Sequence, residues 1–311
     1  PASSFGIEGL TIVQQRIIAV FAFATLMWIL EPVPAWATSI AIMTMLLFFT
    51  SDSGVKWICQ PDQVGALLSY KSIMACFADP VIMLFLGGFV LAIAATKTGL
   101  DVHLAKILLK PFGNKSEMVL LGFLLITGLF SMFISNTATA AMMLTFLAPV
   151  FKQLPANGKG RIAMALSIPV AANLGGIGTP IGTPPNTIAL KYLNDPEGLN
   201  LNIGFGQWML MMVPLVILLL FISWLVIKKM FPFTQKTVDL VIEGEMKRDR
   251  KTTIVIVTFI VTVLLWLLDS VTGINTYTVA FVPLAVFCTT GVIDRRDLEE
   301  LNWSVIWMVA G

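Results

Sequence analysis

Between Asn173 and Asn186 the sequence reads Asn-Leu-Gly-Gly-Ile-Gly-Thr-Pro-Ile-Gly-Thr-Pro-Pro-Asn, and it does so inside otherwise apolar sequence. Glycine and proline both weaken a helix, and two adjacent prolines stop one. Apolar residues make up 57% of the chain and charged residues 12%, where a soluble domain carries about a quarter charged residues. The flanking runs therefore read as membrane-spanning. Backbone freed at such depth must face protein, water or a ligand, because hydrocarbon cannot satisfy it. A second break, Ser135-Asn136-Thr137, separates two further apolar runs. Two interrupted apolar segments in one chain point to an ion or solute site inside the membrane.

The runs place the elements. Ile12–Leu30 and Pro34–Phe49 are two spans joined by a tight turn at Glu31-Pro32, residues 51–79 are a mixed polar loop, and Val81–Ala95 is a third span. From Lys97 to Lys110, Leu100, Leu104, Ile107 and Leu108 recur at helical spacing with Asp101, Lys106 and Lys110 between them, the pattern of a helix lying in the membrane interface. Met118–Ile134 and Ala138–Phe151 are each short for a full span of about 20 residues. They read as a re-entrant hairpin, with two ordinary spans and a minimal turn as the alternative. Arg161–Asn173 and Asn186–Tyr192 flank the Gly/Pro break as one broken span. Trp208–Met230, Ile254–Leu268 and Tyr277–Thr290 are further spans, and Trp303 starts another.

Lysine and arginine mark the cytoplasmic side. Three basic clusters (Lys106, Lys110, Lys115; Lys152, Lys159, Arg161; Lys228, Lys229, Lys247, Arg248, Arg250, Lys251) put both ends of the hairpin there. The loop after the broken span, with Asp195 and Glu197 against Lys191, suits the outside. Counting back places the start of Ile12–Leu30 outside. The absence of an initiator Met and the stop at Gly311 within an apolar run read as part of a longer chain.

Asp79-Pro-Val-Ile-Met-Leu-Phe-Leu-Gly-Gly resembles Trp303-Ser-Val-Ile-Trp-Met-Val-Ala-Gly. The topology above gives the two opposite directions, the sign of an inverted-repeat transporter. The division that follows is 1–114 as scaffold-type spans with an interfacial helix at about 97–112, 115–200 as transport-type hairpin and broken helix, 201–252 as span and linker, and 253–311 as the start of a second repeat.

Both breaks carry oxygen-rich side chains: Ser135, Asn136 and Thr137 at one, Thr179, Thr183 and Asn186 at the other. Hard cations want such oxygens, and exposed helix ends supply carbonyls to a cation and N–H groups to an anion. Ser131 lies one turn before Ser135, so both hydroxyls can face one cation. The same residue types also pack helices closely. Gly176-Ile-Gly178 is no phosphate loop, since no strand precedes it and no Gly-Lys-Ser/Thr follows. His103, the single histidine, sits among lysines. An intramembrane protease would need a base near its nucleophile or paired aspartates, and a proton antiporter an ionisable proton carrier within a span; the spans hold no Asp, Glu or His. Net charge of +2 argues for no nucleic-acid partner, and Cys59, Cys76 and Cys288 form no metal motif; Cys59 could pair with Cys76 only in an oxidising compartment.

Ser135-Asn136-Thr137 followed some forty residues later by Gly-Thr-Pro-Ile-Gly-Thr-Pro-Pro-Asn resembles the divalent anion/sodium symporter family of INDY-like dicarboxylate transporters. Trp28–Pro34 and the Leu-Gly-Gly-Phe run at Leu86 extend the likeness over essentially the whole chain. The resemblance implies an all-α, multi-pass protein of the cytoplasmic membrane, an inverted-repeat homodimer that moves C4-dicarboxylates, citrate or sulfate with sodium by an elevator-like motion. It implies that Ser131, Ser135, Asn136 and the Gly182 carbonyl hold Na+, and that Asn136, Thr137, Thr183 and Pro184 line the dicarboxylate pocket. Intact hydroxyls at Ser131 and Ser135 favour a symporter over sodium-independent exchangers.

Overall fold

The structure, a computed structural model, describes residues 9–60, 64–196, 198–240 and 246–310. Regular structure among them is helical, with isolated bridges only. Pro1, Glu197 and Gly311 lie outside the described residues. Two compact units divide the chain, residues 1–83 with 302–311, and residues 84–301.

In the first unit α1 (Ile12–Leu30) starts at a capping box, in which the Thr11 hydroxyl accepts from the Gln14 N–H and the Gln14 side chain accepts from the Thr11 N–H. It ends where Glu31 turns left-handed at φ 46°, so Glu31-Pro32 is the turn expected. α2 (Ala35–Thr50) packs on α1, and Arg16 Nη1 donates to the Phe49 and Ile58 carbonyls at 2.7 and 3.1 Å. The stretch read as a polar loop holds a short helix, α3 (Tyr70–Met74), that continues as a 3-10 turn through Ala78. Its run of small and apolar residues lacks the glycine or proline that would have kept it open. Cys59 is buried with its thiol on the Phe48 carbonyl, and neither it nor Cys76 forms a disulfide. The last helix of this unit, Trp303–Ala310, sets Trp307 edge-on to Phe77 with ring centroids 4.7 Å apart, and its Met308 carbonyl accepts from Ser39.

The second unit carries both breaks. α4 (Pro80–Thr98) runs into it and is followed, after left-handed Gly99, by α5 (Leu100–Leu109). The buried face of α5 is Leu100, Asp101, Ala105 and Leu109, whereas Ile107 is exposed. The expected stripe is thus rotated, and Asp101 lies inside rather than among the lysines. The Thr96 hydroxyl and Val102 N–H donate to its carboxylate at 2.8 and 2.7 Å; burial pushes the carboxyl above its usual range, while those donors pull it back.

α6 (Ser116–Ser131) and α7 (Asn136–Gln153) form the hairpin, and α8 (Lys159–Gly176) and α9 (Pro184–Leu193) the broken segment. α10 (Phe205–Met230) and α11 (Arg250–Leu267) follow. The run read as one span, Tyr277–Thr290, is two helical pieces, α12 (Thr276–Val279) and α13 (Phe281–Thr289), interrupted at Ala280. A methyl on Gly87 would overlap the Ala280 backbone, so α4 approaches closely at that interruption. Twelve of the 16 residues of α6 are buried, including Val119, Phe123 and Leu124, while α10 buries only five of its 26. A helix covered on all sides is a core helix; α10, with Leu210, Leu218 and Phe221 outward, presents an apolar face.

Among the described residues, four stretches are long and apolar enough to cross a membrane: Ile12–Leu30, Tyr70–Thr98, Phe205–Met230 and Arg250–Leu267. The basic ends expected to share one side do meet within the second unit. Asp239 accepts from Asn114 at 3.1 Å through its carboxylate and exchanges two backbone bonds with the Gln153 side chain, and Glu117 pairs with Lys228 at 3.3 Å.

α6 and α8 cross with Gly128 against Gly175, where a methyl on Gly175 would strike the Gly128 backbone. Small residues let backbones come this close. Gly175→Val should therefore destabilise the protein by about 1–3 kcal/mol through overpacking, read as a lowered unfolding midpoint in detergent, whereas Leu166→Val on the exposed face of α8 should leave the midpoint nearly unchanged.

Candidate functional site

The break in the second segment is real but shorter than the sequence suggested. α8 continues through Leu174, Gly175 and Gly176, residues 177–183 form turns, and Pro184 and Pro185 open α9. Adjacent prolines start this helix rather than stop it, because the first-turn positions have no N–H partner to lose. The hairpin tip is equally tight. Ser131 ends α6, Ser135 caps α7 by accepting from the Ala138 N–H at 3.3 Å, and Asn136 and Thr137 are already helical.

Tip and break are joined. The Thr179 hydroxyl donates to the Met132 carbonyl in a short contact and accepts from the Gly182 N–H at 3.1 Å. Asn186 Nδ2 donates to the Gly176 and Thr179 carbonyls, each at 2.8 Å, and the Thr187 hydroxyl donates to the Pro180 carbonyl at 2.6 Å. Trp208 Nε1 covers the Ile177 carbonyl at 3.0 Å. Thr179, Asn186 and Thr187 are all buried. Thr179 and Asn186, read from sequence as possible ligands, hold the unwound backbone instead.

A second set of oxygens gathers around Gly176. A methyl there would fall 2.6 Å from both Asn136 Oδ1 and Thr183 Cγ2, and a methyl on Gly182 would strike the Gly176 carbonyl. Ser131, fully buried, has one hydroxyl proton and two acceptors at 2.7 Å, Asn136 Oδ1 and the Ala172 carbonyl. Asn136 Nδ2 donates to Asn173 Oδ1 at 3.1 Å. The Gly182 carbonyl accepts no hydrogen bond from the described residues. Ser131, Asn136, Gly182 and Thr183 thus lie together with Asn173, which opens the Gly/Pro run but was not singled out as a site residue. Thr137 is exposed and Pro184 half-buried at the starts of α7 and α9. Ser135 Oγ accepts its cap bond with one of two lone pairs.

Chemically, the cluster is oxygen-rich and neutral. Ser131 Oγ, Asn136 Oδ1 and the Gly182 carbonyl are the donors a hard monovalent cation prefers, and with no carboxylate among them the set suits a single charge better than a divalent ion. The N-terminus of α7, an 18-residue helix, turns its positive end to the same place, which favours an anion beside the cation. α9 is a poorer anion partner, because two of its first-turn residues are prolines without N–H groups.

A separate cavity of about 300 Å3 lies at the far end of α9, lined by Leu190, Asn194, Phe205, Asp269 and Thr276. Its buried Asp269 accepts from the Phe205 and Ser270 N–H groups at 2.6 and 2.7 Å and from the Thr276 hydroxyl at 3.3 Å. Those donors make it a clamp between α10 and α12.

Asn186→Leu should cost about 2–4 kcal/mol, since two buried carbonyls lose their donor. The check is thermal unfolding, with Ile188→Val on the exposed face of α9 as a comparison that leaves the break intact.

A model of the citrate transporter family matches residues 25–311. The chain is 31% identical over 332 residues to the sodium-dependent dicarboxylate transporter SdcS of Staphylococcus saprophyticus, covering 95% of this chain and 60% of that protein. It is 28% identical over 334 residues to SdcS of Staphylococcus aureus, with the same shares of 95% and 60%. An uncharacterized transporter of Schizosaccharomyces pombe is 28% identical over 309 residues, 96% of this chain and 34% of the relative. The chain therefore spans three fifths or less of the length of these relatives. With the family model running across both breaks and nearly every helix, this all-α membrane protein belongs to the citrate transporter family.

Proposed function

We propose that the protein is a sodium-coupled symporter of a divalent anion, a C4-dicarboxylate such as succinate, malate or fumarate, working in the cytoplasmic membrane as a homodimer of elevator type. The observation that carries this reading is the meeting of two unwound segments around a neutral set of oxygens. Ser131, Ser135, Asn136 and the Gly182 carbonyl would take Na+, with Ser135 also capping the tip. Asn136, Thr137, Thr183 and Pro184 would face the dicarboxylate, whose charge rests on the α7 N-terminus and on the neighbouring cation.

Depth supports the reading. α7 and α8 each have 18 residues, so each carries the site about 27 Å from the basic end of the unit. α10 gives an independent ruler. Trp224 Nε1 reaches the Glu117 carbonyl at that end and Trp208 Nε1 reaches Ile177 at the break, a separation of about 24 Å along the helix. With lysines in the headgroups and a hydrocarbon core of about 30 Å, both lengths are compatible with a site within the bilayer, toward its far face. The likeness to the SdcS proteins, named as sodium-dependent dicarboxylate transporters, favours sodium and a dicarboxylate. Citrate is the second reading, favoured by the family's description.

In proteoliposomes with an inward sodium gradient, labelled succinate uptake should require sodium and be competed by malate. Competition by citrate or sulfate alone would redirect the cargo. Asn136→Ala should abolish uptake, and Ser131→Ala should raise the sodium concentration for half-maximal uptake. Wild-type rates in Asn136→Ala would remove that residue from the site.

A further inference from the structure

The Asn136 amide has two unlike ends, and the site needs them in one order. If Oδ1 is to meet the cation, it must point toward Ser131 and Gly176, with Nδ2 directed away. A flipped amide would present N–H groups to a cation, which has no use for them. Ser131 alone cannot fix the order. Its hydroxyl donates equally well to the Ala172 carbonyl, 2.7 Å away, as to Asn136 Oδ1 at the same distance. A cation that binds both Ser131 Oγ and Asn136 Oδ1 would in fact send that proton to Ala172, and the Ser131–Asn136 bond would be lost at the moment the orientation matters.

Asn173 supplies what is left. Its Oδ1 accepts from Asn136 Nδ2 at 3.1 Å. The residue stands one turn before Gly176 on α8, at the end of the helix whose backbone reaches Asn136. With the Asn173 oxygen turned toward Asn136, as here, the contact is made by only one of the two Asn136 orientations, because a carbonyl oxygen can accept but not donate. Gly176 completes the constraint, because any side chain there would strike Asn136 Oδ1.

We infer that Asn173 is a positioning residue for the cation site, holding the Asn136 amide with its oxygen toward Ser131 and Gly182 when the Ser131 proton turns to Ala172. The inference rests on the sodium-symport reading. It assigns Asn173 no direct bond to the ion.

The test is a sodium titration of succinate uptake in proteoliposomes, read as half-saturating sodium and as the succinate KM, for the wild type, Asn173→Ala and Asn173→Asp. Loss of one orienting hydrogen bond should raise half-saturating sodium about tenfold in Asn173→Ala. Asn173→Asp keeps an acceptor for Asn136 Nδ2, so half-saturating sodium should stay within about twofold of the wild type or fall, while the added negative charge raises the succinate KM. A purely structural role would not split the two constants in this way. Half-saturating sodium unchanged in Asn173→Ala, or raised about tenfold in Asn173→Asp, would overturn the inference. If Asn173→Ala does not fold, Asn173→Asp carries the test alone. Uptake by the wild type that is indifferent to sodium would instead overturn the symport reading beneath it.

Discussion

The hydrogen bond from the Thr179 hydroxyl to the Met132 carbonyl is the interaction on which the rest of the second unit depends. A helix that stops inside an apolar medium leaves carbonyls without donors, and each one left unsatisfied there costs several kcal/mol. Here the exposed end of α6 is capped by a side chain from the break, and the exposed end of α8 by Asn186. Each unwound segment therefore needs the other. Neither would be tolerable alone in hydrocarbon, and the Gly128–Gly175 crossing brings the two backbones near enough to share donors.

This arrangement divides the polar atoms by task. Thr179, Asn186 and Thr187 are buried and spend their donors on backbone. Ser131, Asn136 and Asn173 direct lone pairs and donors at one another beside Gly176, with the Thr183 methyl close by. The bracing group gives a rigid frame, and the second group keeps interactions that an ion or anion can exchange for its own. Preorganised oxygens of this kind lower the cost of stripping water from a cation, because the protein does not have to reorganise when the ion arrives.

Most helices were legible because apolar length is a strong signal. Ile12–Leu30 coincides with α1, and the break positions fall where glycine and proline cluster. What sequence could not separate was a ligand from a brace. Thr179 and Asn186 have the same chemistry as Ser131 and Asn136, and only the identity of the nearest carbonyl distinguishes them. Asn173 escaped notice because its partner lies 37 positions away and meets it only when the hairpin folds back. Asp101 looked like part of a polar face, since the periodicity of α5 says nothing about a hydroxyl that Thr96 donates from the preceding helix. The doubled proline was read as a stop, but its effect depends on which side of it the hydrogen-bonded turn lies.

The contact of tip with break can be measured directly. A Cβ placed on Gly178 lies 3.0 Å from Met132 Cγ, close to the span a disulfide bridges. In a background with Cys59, Cys76 and Cys288 replaced, Met132→Cys combined with Gly178→Cys should be protected from maleimide labelling after mild oxidation in membranes, and freed again by reductant. Leu129→Cys, on the exposed face of α6, paired with Gly178→Cys should remain labelled. If the Met132 and Gly178 pair stays fully reactive under the same oxidation, the two unwound segments do not meet, and the account of the site built on their meeting is wrong.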